Sequence, residues 1–337
     1  MTTGMGLIGC GNMGGVWSGA IERRVHKQQD CTFLWAFDPN RDAAAQRVAG
    51  TNAAIATDAE TVFRDSRVGA VVICTPTFTH VDLVIAAAQA GKHILVEKPM
   101  ALTLGDCRRM IDACSQAGVK LAVGQTVRFW GAFLRTRQLV EAGVIGQPWV
   151  AQLDRMGATA PTPLDAIDMG QQRRPWRYDT QLAGGNILEG VVHELDCARA
   201  IFGEVIAASC TASGKIIDGN HRSPILMQAL LEFSGRRHAT VRMGGLVGYN
   251  GGGSWVSGTR GTLHFNHWEG PIDVYGPGRE ALRQEDCSDL GAGDEAYDRE
   301  LADLLDAVRD DGEPENSGGN GMRNIGLGLA LYRSIET

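Results

Sequence analysis

The sequence predicts an α/β protein: an N-terminal Rossmann domain with a doubly wound parallel sheet, then an α+β domain with an open, mostly antiparallel sheet. Three observations carry this. Short apolar or β-branched runs alternate with amphipathic helical stretches through the first third of the chain. A glycine-rich turn, GLIGCGNMG at 6–14, separates the first such run from the first helix. Beyond about residue 125 the alternation gives way to runs separated by turn residues, with helices before and after them. Strand–helix alternation implies right-handed crossovers and a doubly wound sheet; evenly spaced runs bounded by turns suggest antiparallel pairing.

In chain order, MGLIGC is a strand, and a helix runs from Met13 to about His26. CTFLWAFD is the second strand, followed by a helix from Arg41 into Val48. GAVVICT is a strand, and VDLVIAAAQA a helix ended by Gly91. HILVEK is a strand, LGDCRRMIDACSQA a helix ended by Gly118, and VKLAVG one more strand. Apolar runs without alternation suit parallel strands covered on both faces. Residues 1–125 are therefore expected to form the first domain and 126–337 the second. In the second, FLRTRQLVEAGVIG reads as a helix and PWVAQLDRM as a strand. The loop ATAPTPLDAIDMGQQRRPW leads to the helix LEGVVHELDCARAIFG. VIAASCTASG, ILMQALLEF, HATVRMGGL and TLHFN are candidate antiparallel strands. YNGGGSW reads as a glycine-rich loop, not a phosphate loop, because no helix or Lys-Ser/Thr follows it. EAYDRELADLLDAVRDDG is an amphipathic helix stopped by Gly312 and Pro314, and NIGLGLALYRSIE a last helix.

Composition narrows the function. The 337 residues are 44% hydrophobic and 21% charged, the mix of a chain with a sizeable core. The formal net charge is −7, which argues against nucleic-acid or anionic-membrane binding, since both need a basic footprint. The eight cysteines contain no CxxC pair, so reduced thiols are expected and no metal site. No apolar run approaches the ~20 residues of a membrane span. The first strand starts within a few residues of Met1, leaving no room for a leader, so a cytoplasmic protein is expected.

Gly9, Gly11 and Gly14 form G-x-G-x-x-G between a strand and a helix. Gly9 permits the tight turn, Gly11 lets backbone approach a pyrophosphate, and Gly14 lets helix and strand pack closely. The N–H groups of Asn12 and Met13, at the helix start, would face the phosphates. Asp38 ends the second strand a little over twenty residues on, where a carboxylate accepts ribose hydroxyls. It favours NAD, because it repels a 2′-phosphate; Arg41 nearby is the feature that would admit NADP. The alternative for Asp38 is an N-cap of the following helix.

CTPTFTH at 74–80 and EKP at 97–99 follow two further strand ends, where ligands bind in open α/β sheets. With the glycine motif, with WRYDTQLAGGNILEGVVHELD at 176–196 and with the closing YRSIET, the chain resembles the Gfo/Idh/MocA family, which includes glucose–fructose oxidoreductase and inositol dehydrogenase. The resemblance covers nearly the whole chain. It implies that Lys98, Glu189 and His193 line an active site, with Lys98 also touching the cofactor. It implies that Thr75, Pro76, His80 and Gln125 border the cofactor and that Glu97 lies near the nicotinamide ribose. Glu189 stands where the family most often has Asp, which changes the reach of that carboxylate.

The residues agree with this reading in part. Glu189, His193 and Asp196 have i, i+4, i+7 spacing and so share one helical stripe, beside an apolar stripe of Leu188, Val191, Val192, Leu195 and Phe202. A solvated helix face would have the same spacing. Trp176 and Arg177 suit the C–H face and the oxygens of a sugar, and Arg173 and Arg174 suit an anionic group or a plain solvated loop. The Lys98–Pro99 bond is expected to be cis, as X-Pro bonds at fixed turns can be. The expected function is NAD-dependent hydride transfer at a secondary alcohol or ketone of a sugar, sugar derivative or cyclitol, by a homodimer or homotetramer. The alternatives are a non-catalytic NAD-binding regulator, and a reductase of a dihydrodiol, imine or tetrapyrrole.

Overall fold

A computed structural model describes residues 2–157, 180–213, 224, 226–245, 253–266, 268, 270–291 and 293–337. The chain divides into two compact units. One is Met1–Gln125 with Asp294–Ile325; the other is Thr126–Gly293 with Gly326–Thr337.

The first unit is built on β1 (Thr3–Ile8), β2 (Cys31–Phe37), β3 (Ala54–Ile55), β4 (Val68–Ile73), β5 (His93–Glu97) and β6 (Leu121–Gly124). They form a parallel sheet in the order β3-β2-β1-β4-β5-β6. The order reverses between β1 and β4, so the carboxyl ends of those strands flank the crevice of a doubly wound sheet. β1, β4, β5 and β6 are buried almost throughout, which explains their unbroken apolar runs.

The helices α1 (Asn12–Lys27), α2 (Arg41–Val48), α3 (Ala59–Arg64), α4 (His80–Gln89) and α5 (Leu104–Ala117) connect these strands. α2, α3 and α5 begin on side-chain caps: Asn40 accepts from Asp42 N, Asp58 from Thr61 N and Thr103 from Asp106 N. Asn40, not Asp38, is thus the N-cap of α2. Neither β3 nor α3 was expected; two and six residues are too few for periodicity to register.

A later segment completes this unit. α8 (Gly293–Arg309; α6 and α7 belong to the second unit) buries Leu301, Leu304 and Leu305 in the same core as Leu7, Trp17, Ile21 and Phe33. Tyr297 meets the Trp17 ring edge-on at 5.2 Å, and Arg23 pairs with Asp298 at 2.7 Å. Val123 N donates to Asn316 O at 2.8 Å. The sequence alone groups all of 126–337 in the second domain. Residues 294–325 instead pack here, because the apolar face of α8 fits the core beside α1.

The second unit holds α6 (Gly131–Glu141), β7 (Pro148–Gly157), α7 (Val192–Phe202), β8 (Val205–Ser213), β9 (Leu226–Phe233), β10 (Arg237–Gly245), β11 (Ser254–Gly258), β12 (Thr262–Phe265), β13 (Ile272–Tyr275) and β14 (Ala281–Glu285). The sheet order is β14-β13-β12-β11-β7-β10-β9-β8. Every pairing is antiparallel except β7 with β10. Burial alternates along β9, β12 and β13, so one face is covered. α7 lies on the covered face over β7 and β10. The expected glycine-rich loop at 249–255 gives way to β11 from Ser254 onward. β13 and β14 were not foreseen, being short and interrupted by charge. The last helix, α9 (Gly318–Glu336), contributes to both units.

Candidate active site

The dinucleotide turn follows β1. Gly9 has φ +92°, and a Cβ there would lie 2.8–2.9 Å from Cys74 and Thr75 backbone atoms. A Cβ on Gly14 would lie 2.2 Å from Gly9 O. Gly11 differs: a Cβ there meets nothing within 4 Å. The space over Gly11 is therefore left open by the protein and would be narrowed by any side chain. α1 starts beside it at Asn12, with Gly11 as its N-cap, no side-chain acceptor there and no acid in its first turn. An uncapped helix start with nothing negative on it is an anion site in waiting.

Asp38 fixes this turn. Its Oδ2 accepts from Cys10 N at 2.7 Å and its Oδ1 from Asn40 N at 2.8 Å. A carboxylate has about four acceptor positions, so capacity for hydroxyl donors is left. Arg47, which the sequence reading passed over, donates from Nε to Cys10 O at 3.1 Å, and its guanidinium lies against Gly15. Nothing in the spacing of α2 would have revealed that reach. Burial pushes the Cys10 thiol up to about 12, with Asp38 adding to it, so the turn carries no thiolate.

The turn after β4 is braced by Thr79, whose hydroxyl donates to Thr75 Oγ1 and Pro76 O, both at 2.7 Å. His80 is buried, with Nε2 2.9 Å from Thr75 O and Nδ1 3.1 Å from Pro99 O. At the end of β5, Glu97 is turned inward: Oε1 accepts from Trp17 Nε1 at 2.7 Å and Oε2 from Lys98 N at 3.1 Å. The Lys98–Pro99 bond is cis, as the motif implied. Lys98 itself is half-buried. Gln125, past β6, is buried; among the described residues its Oε1 has no donor. An open cradle at Gly11, spare acceptor positions on Asp38 and this orphaned acceptor on Gln125 all fit a dinucleotide.

In the second unit, Gly184 and Gly185 turn with φ +82° and +66°, and Tyr332 OH donates to Gly184 O at 2.8 Å. The chain then makes an i→i+5 turn, Ile187–Val191, before α7. Such turns are frequent at functional sites. Glu189 lies within it, half-buried, and His193 is half-buried one turn on. The expected apolar stripe is buried throughout. Asp196 departs from the expected polar stripe: it is 1% exposed and bound to Arg128 by two contacts of 2.5 and 3.0 Å. The i→i+5 turn holds Glu189 and precedes α7, so α-helical spacing does not carry through from Glu189 to His193 and Asp196. Glu194 is also buried, accepting from Arg155 Nε at 2.7 Å and Trp268 Nε1 at 3.3 Å. Arg155, another residue the sequence reading missed, runs past Gly190 and keeps 36% of its side chain exposed. Trp176, Arg177, Arg173 and Arg174 lie outside the described residues. No helix among the described residues is long and apolar enough to cross a membrane.

Comparison with known proteins agrees with this geometry. A model of an oxidoreductase family with an NAD-binding Rossmann fold matches residues 3–125, and the C-terminal domain of the same family matches residues 133–264. Inositol 2-dehydrogenase of Rhizobium meliloti (strain 1021) is 26% identical over 342 residues, covering 99% of this chain and 97% of the relative. A 1,5-anhydro-D-fructose reductase of Ensifer adhaerens is 27% identical over 336 residues, covering 98% and 96%. A solved levoglucosan dehydrogenase in complex with NADH and levoglucosan shares the fold with a TM-score of 0.88 at 22% identity, over 100% of this chain and 98% of that one. With both of its domains matched in order, the chain belongs to the Gfo/Idh/MocA family of oxidoreductases, and residues 3–125 are that family's NAD-binding domain.

Proposed function

We propose that this protein is an NAD-dependent dehydrogenase that interconverts a secondary alcohol and a ketone on a sugar, sugar derivative or cyclitol. The observation that carries the reading is a single sheet edge. The carboxyl end of β1 bears the open glycine turn, and the end of β5, two strands away, bears a half-buried lysine on a braced cis-proline turn. Relatives named for inositol and anhydrosugar chemistry point to the substrate class.

Gly9, Gly11, Asn12, Met13, Gly14 and Asp38 hold the adenosine and pyrophosphate part of NAD; Thr75, Pro76 and Gln125 border the rest. Bound nicotinamide supplies the hydride acceptor. His193 takes the hydroxyl proton, Lys98 polarises the same oxygen, and Glu189 orients His193 or a neighbouring hydroxyl. A group with a pKa near neutrality, about 6.5 for histidine, suits that transfer. Arg155, aimed by the buried Glu194 and Trp268, contacts substrate oxygens through the rest of its planar fork. Glu97 and His80 act from behind, on the backbone around Lys98.

The test is reduction of NAD and NADP by a panel of sugars, sugar phosphates, nucleotide sugars and inositols. Turnover of one polyol, with Lys98→Ala and His193→Ala each lowering kcat by roughly 10²–10⁴-fold, is expected. Tight NAD binding with no turnover across the panel would sink the enzyme reading in favour of a regulator. Turnover confined to an imine, dihydrodiol or tetrapyrrole would sink the polyol reading.

We further propose a cytoplasmic dimer or tetramer formed through the uncovered face of the eight-stranded sheet. One cross-strand row there, Leu230, Thr240, Gln152, Trp255 and His264, joins exposed apolar to hydrogen-bonding groups. A concentration-independent monomer in sedimentation would refute it.

A further inference from the structure

His80 begins α4 and is 1% exposed. Each of its ring nitrogens faces main-chain carbonyl oxygens. Nε2 is 2.9 Å from Thr75 O; Nδ1 is 3.1 Å from Pro99 O and 3.3 Å from Met100 O. A carbonyl oxygen only accepts, so each contact needs an N–H on the ring. A neutral imidazole has one N–H. In either tautomer its second nitrogen would set a lone pair against a carbonyl oxygen, away from water. A buried polar group left unsatisfied in this way is destabilising. The doubly protonated ring satisfies both sides at once.

A buried cation needs a counterion. Glu97, 4% exposed, ends the strand that leads into the Pro99 turn, and its two oxygens accept neutral donors, the Trp17 indole and the Lys98 amide. Its carboxylate lies two residues before Pro99, on the strand end that leads into the segment His80 contacts.

We infer that His80 is a buried imidazolium and a positioning residue: it ties the Thr75–Pro76 turn to the Pro99–Met100 turn and so fixes the backbone that carries Lys98. The two turns follow adjacent strands, β4 and β5, whose pairing ends at Ile73 and Val96. Beyond that point the sheet no longer sets their spacing, and the ring does. The positioning role rests on the proposed part of Lys98 in proton transfer; the protonation state does not.

Two measurements test this. In protein labelled with 15N-histidine at pH 7.5, an ordinary histidine with a pKa of about 6.5 is about nine-tenths neutral. Of the eight histidines, His80 is expected to show protons on both ring nitrogens. A single protonated nitrogen overturns the imidazolium. Through-bond assignment of the unmodified protein needs no variant, so this test stands even if a substitution unfolds the chain. The second measurement is steady-state kinetics of His80→Gln on the polyol found active in the panel. A misplaced catalytic group costs about 10²-fold, so kcat should fall by about that factor, with NAD affinity changed less than about threefold. A kcat within threefold of the parent overturns the positioning role, as does a loss of NAD affinity with kcat intact. If no polyol is turned over by the parent protein, the dehydrogenase reading fails while the nitrogen signature still decides the charge on His80.

Discussion

Alanine at position 11 should separate cofactor binding from folding. Gly11 has φ −68° and ψ −150°, extended backbone that alanine adopts, and the added methyl meets no protein atom within 4 Å. The apo protein should therefore keep its stability, or gain up to about 1 kcal/mol from a less flexible unfolded chain. The methyl does occupy the approach to the N–H groups at the start of α1. Losing one or two hydrogen bonds to a charged group, at about 1.5–3 kcal/mol each, predicts a total near 3 kcal/mol and an NAD Kd raised about 10²-fold. Gly14→Ala is the control with the opposite signature. Its methyl would lie 2.2 Å from Gly9 O, a backbone atom that cannot turn aside. Overpacking of this kind costs about 1–3 kcal/mol or more, so the apo protein itself should weaken. Calorimetric titration with NAD and urea denaturation without it would read the two effects. An unchanged Kd in Gly11→Ala refutes the placement of the pyrophosphate. Equal loss of stability in both variants refutes the claim that the space over Gly11 is reserved for a ligand.

Asp38→Ala should narrow the preference for NAD over NADP; equal or better use of NADP by the parent enzyme would overturn the Asp38 assignment and point to Arg41. Arg155→Lys keeps the charge beside Glu194 but loses the planar fork, so the polyol KM should rise about tenfold with NAD affinity unchanged; an unchanged KM removes Arg155 from the substrate contacts. Asp303, partly buried and accepting from Glu315 N at 2.8 Å, has its carboxyl pushed by burial from 3.8 up to about 6. The folded state thus holds this proton more tightly than the unfolded chain, so stability is fullest below about pH 4 and falls as pH rises through about 6. Asp303→Asn should add about 1–2 kcal/mol above pH 7, after allowance for partial exposure, and nothing near pH 4; urea midpoints at both pH values would check it, and an equal gain at both would refute the proton linkage.

The first sheet was legible because its physics is local. Strands covered on both faces read as apolar runs, and helix ends are written in single residues such as Gly118, which ends α5 with φ +67°. The second sheet was legible mainly where strands were long; of the short strands β11 to β14, β12 alone was expected. β11 to β14 have four or five residues each, and their burial is set by partners far along the chain. α8 shows the same limit from the other side. Its amphipathic face was plain, but a stripe of leucines does not say which core it will enter, and Trp17 lies 280 residues before Tyr297.

The site divides along a similar line. Glycine roles follow from backbone geometry that a motif encodes, so Gly9 and Gly14 are crowded and Gly11 is open, each as its place in the motif requires. Charge pairing is not encoded in this way. On α7 the sequence offers five polar or ionisable side chains within eleven residues, and periodicity alone grouped Asp196 with Glu189 and His193. In the fold, Asp196 and Glu194 are consumed by Arg128 and Arg155, from a loop and a strand whose approach to the helix no local pattern fixes. Burying a carboxylate unpaired would cost several kcal/mol, so each arginine decides which acid can turn inward. Glu189 and His193 stay half-buried, where Asp196 and Glu194 are buried. The pairing that hides two acids is a property of tertiary contacts that only the folded chain displays.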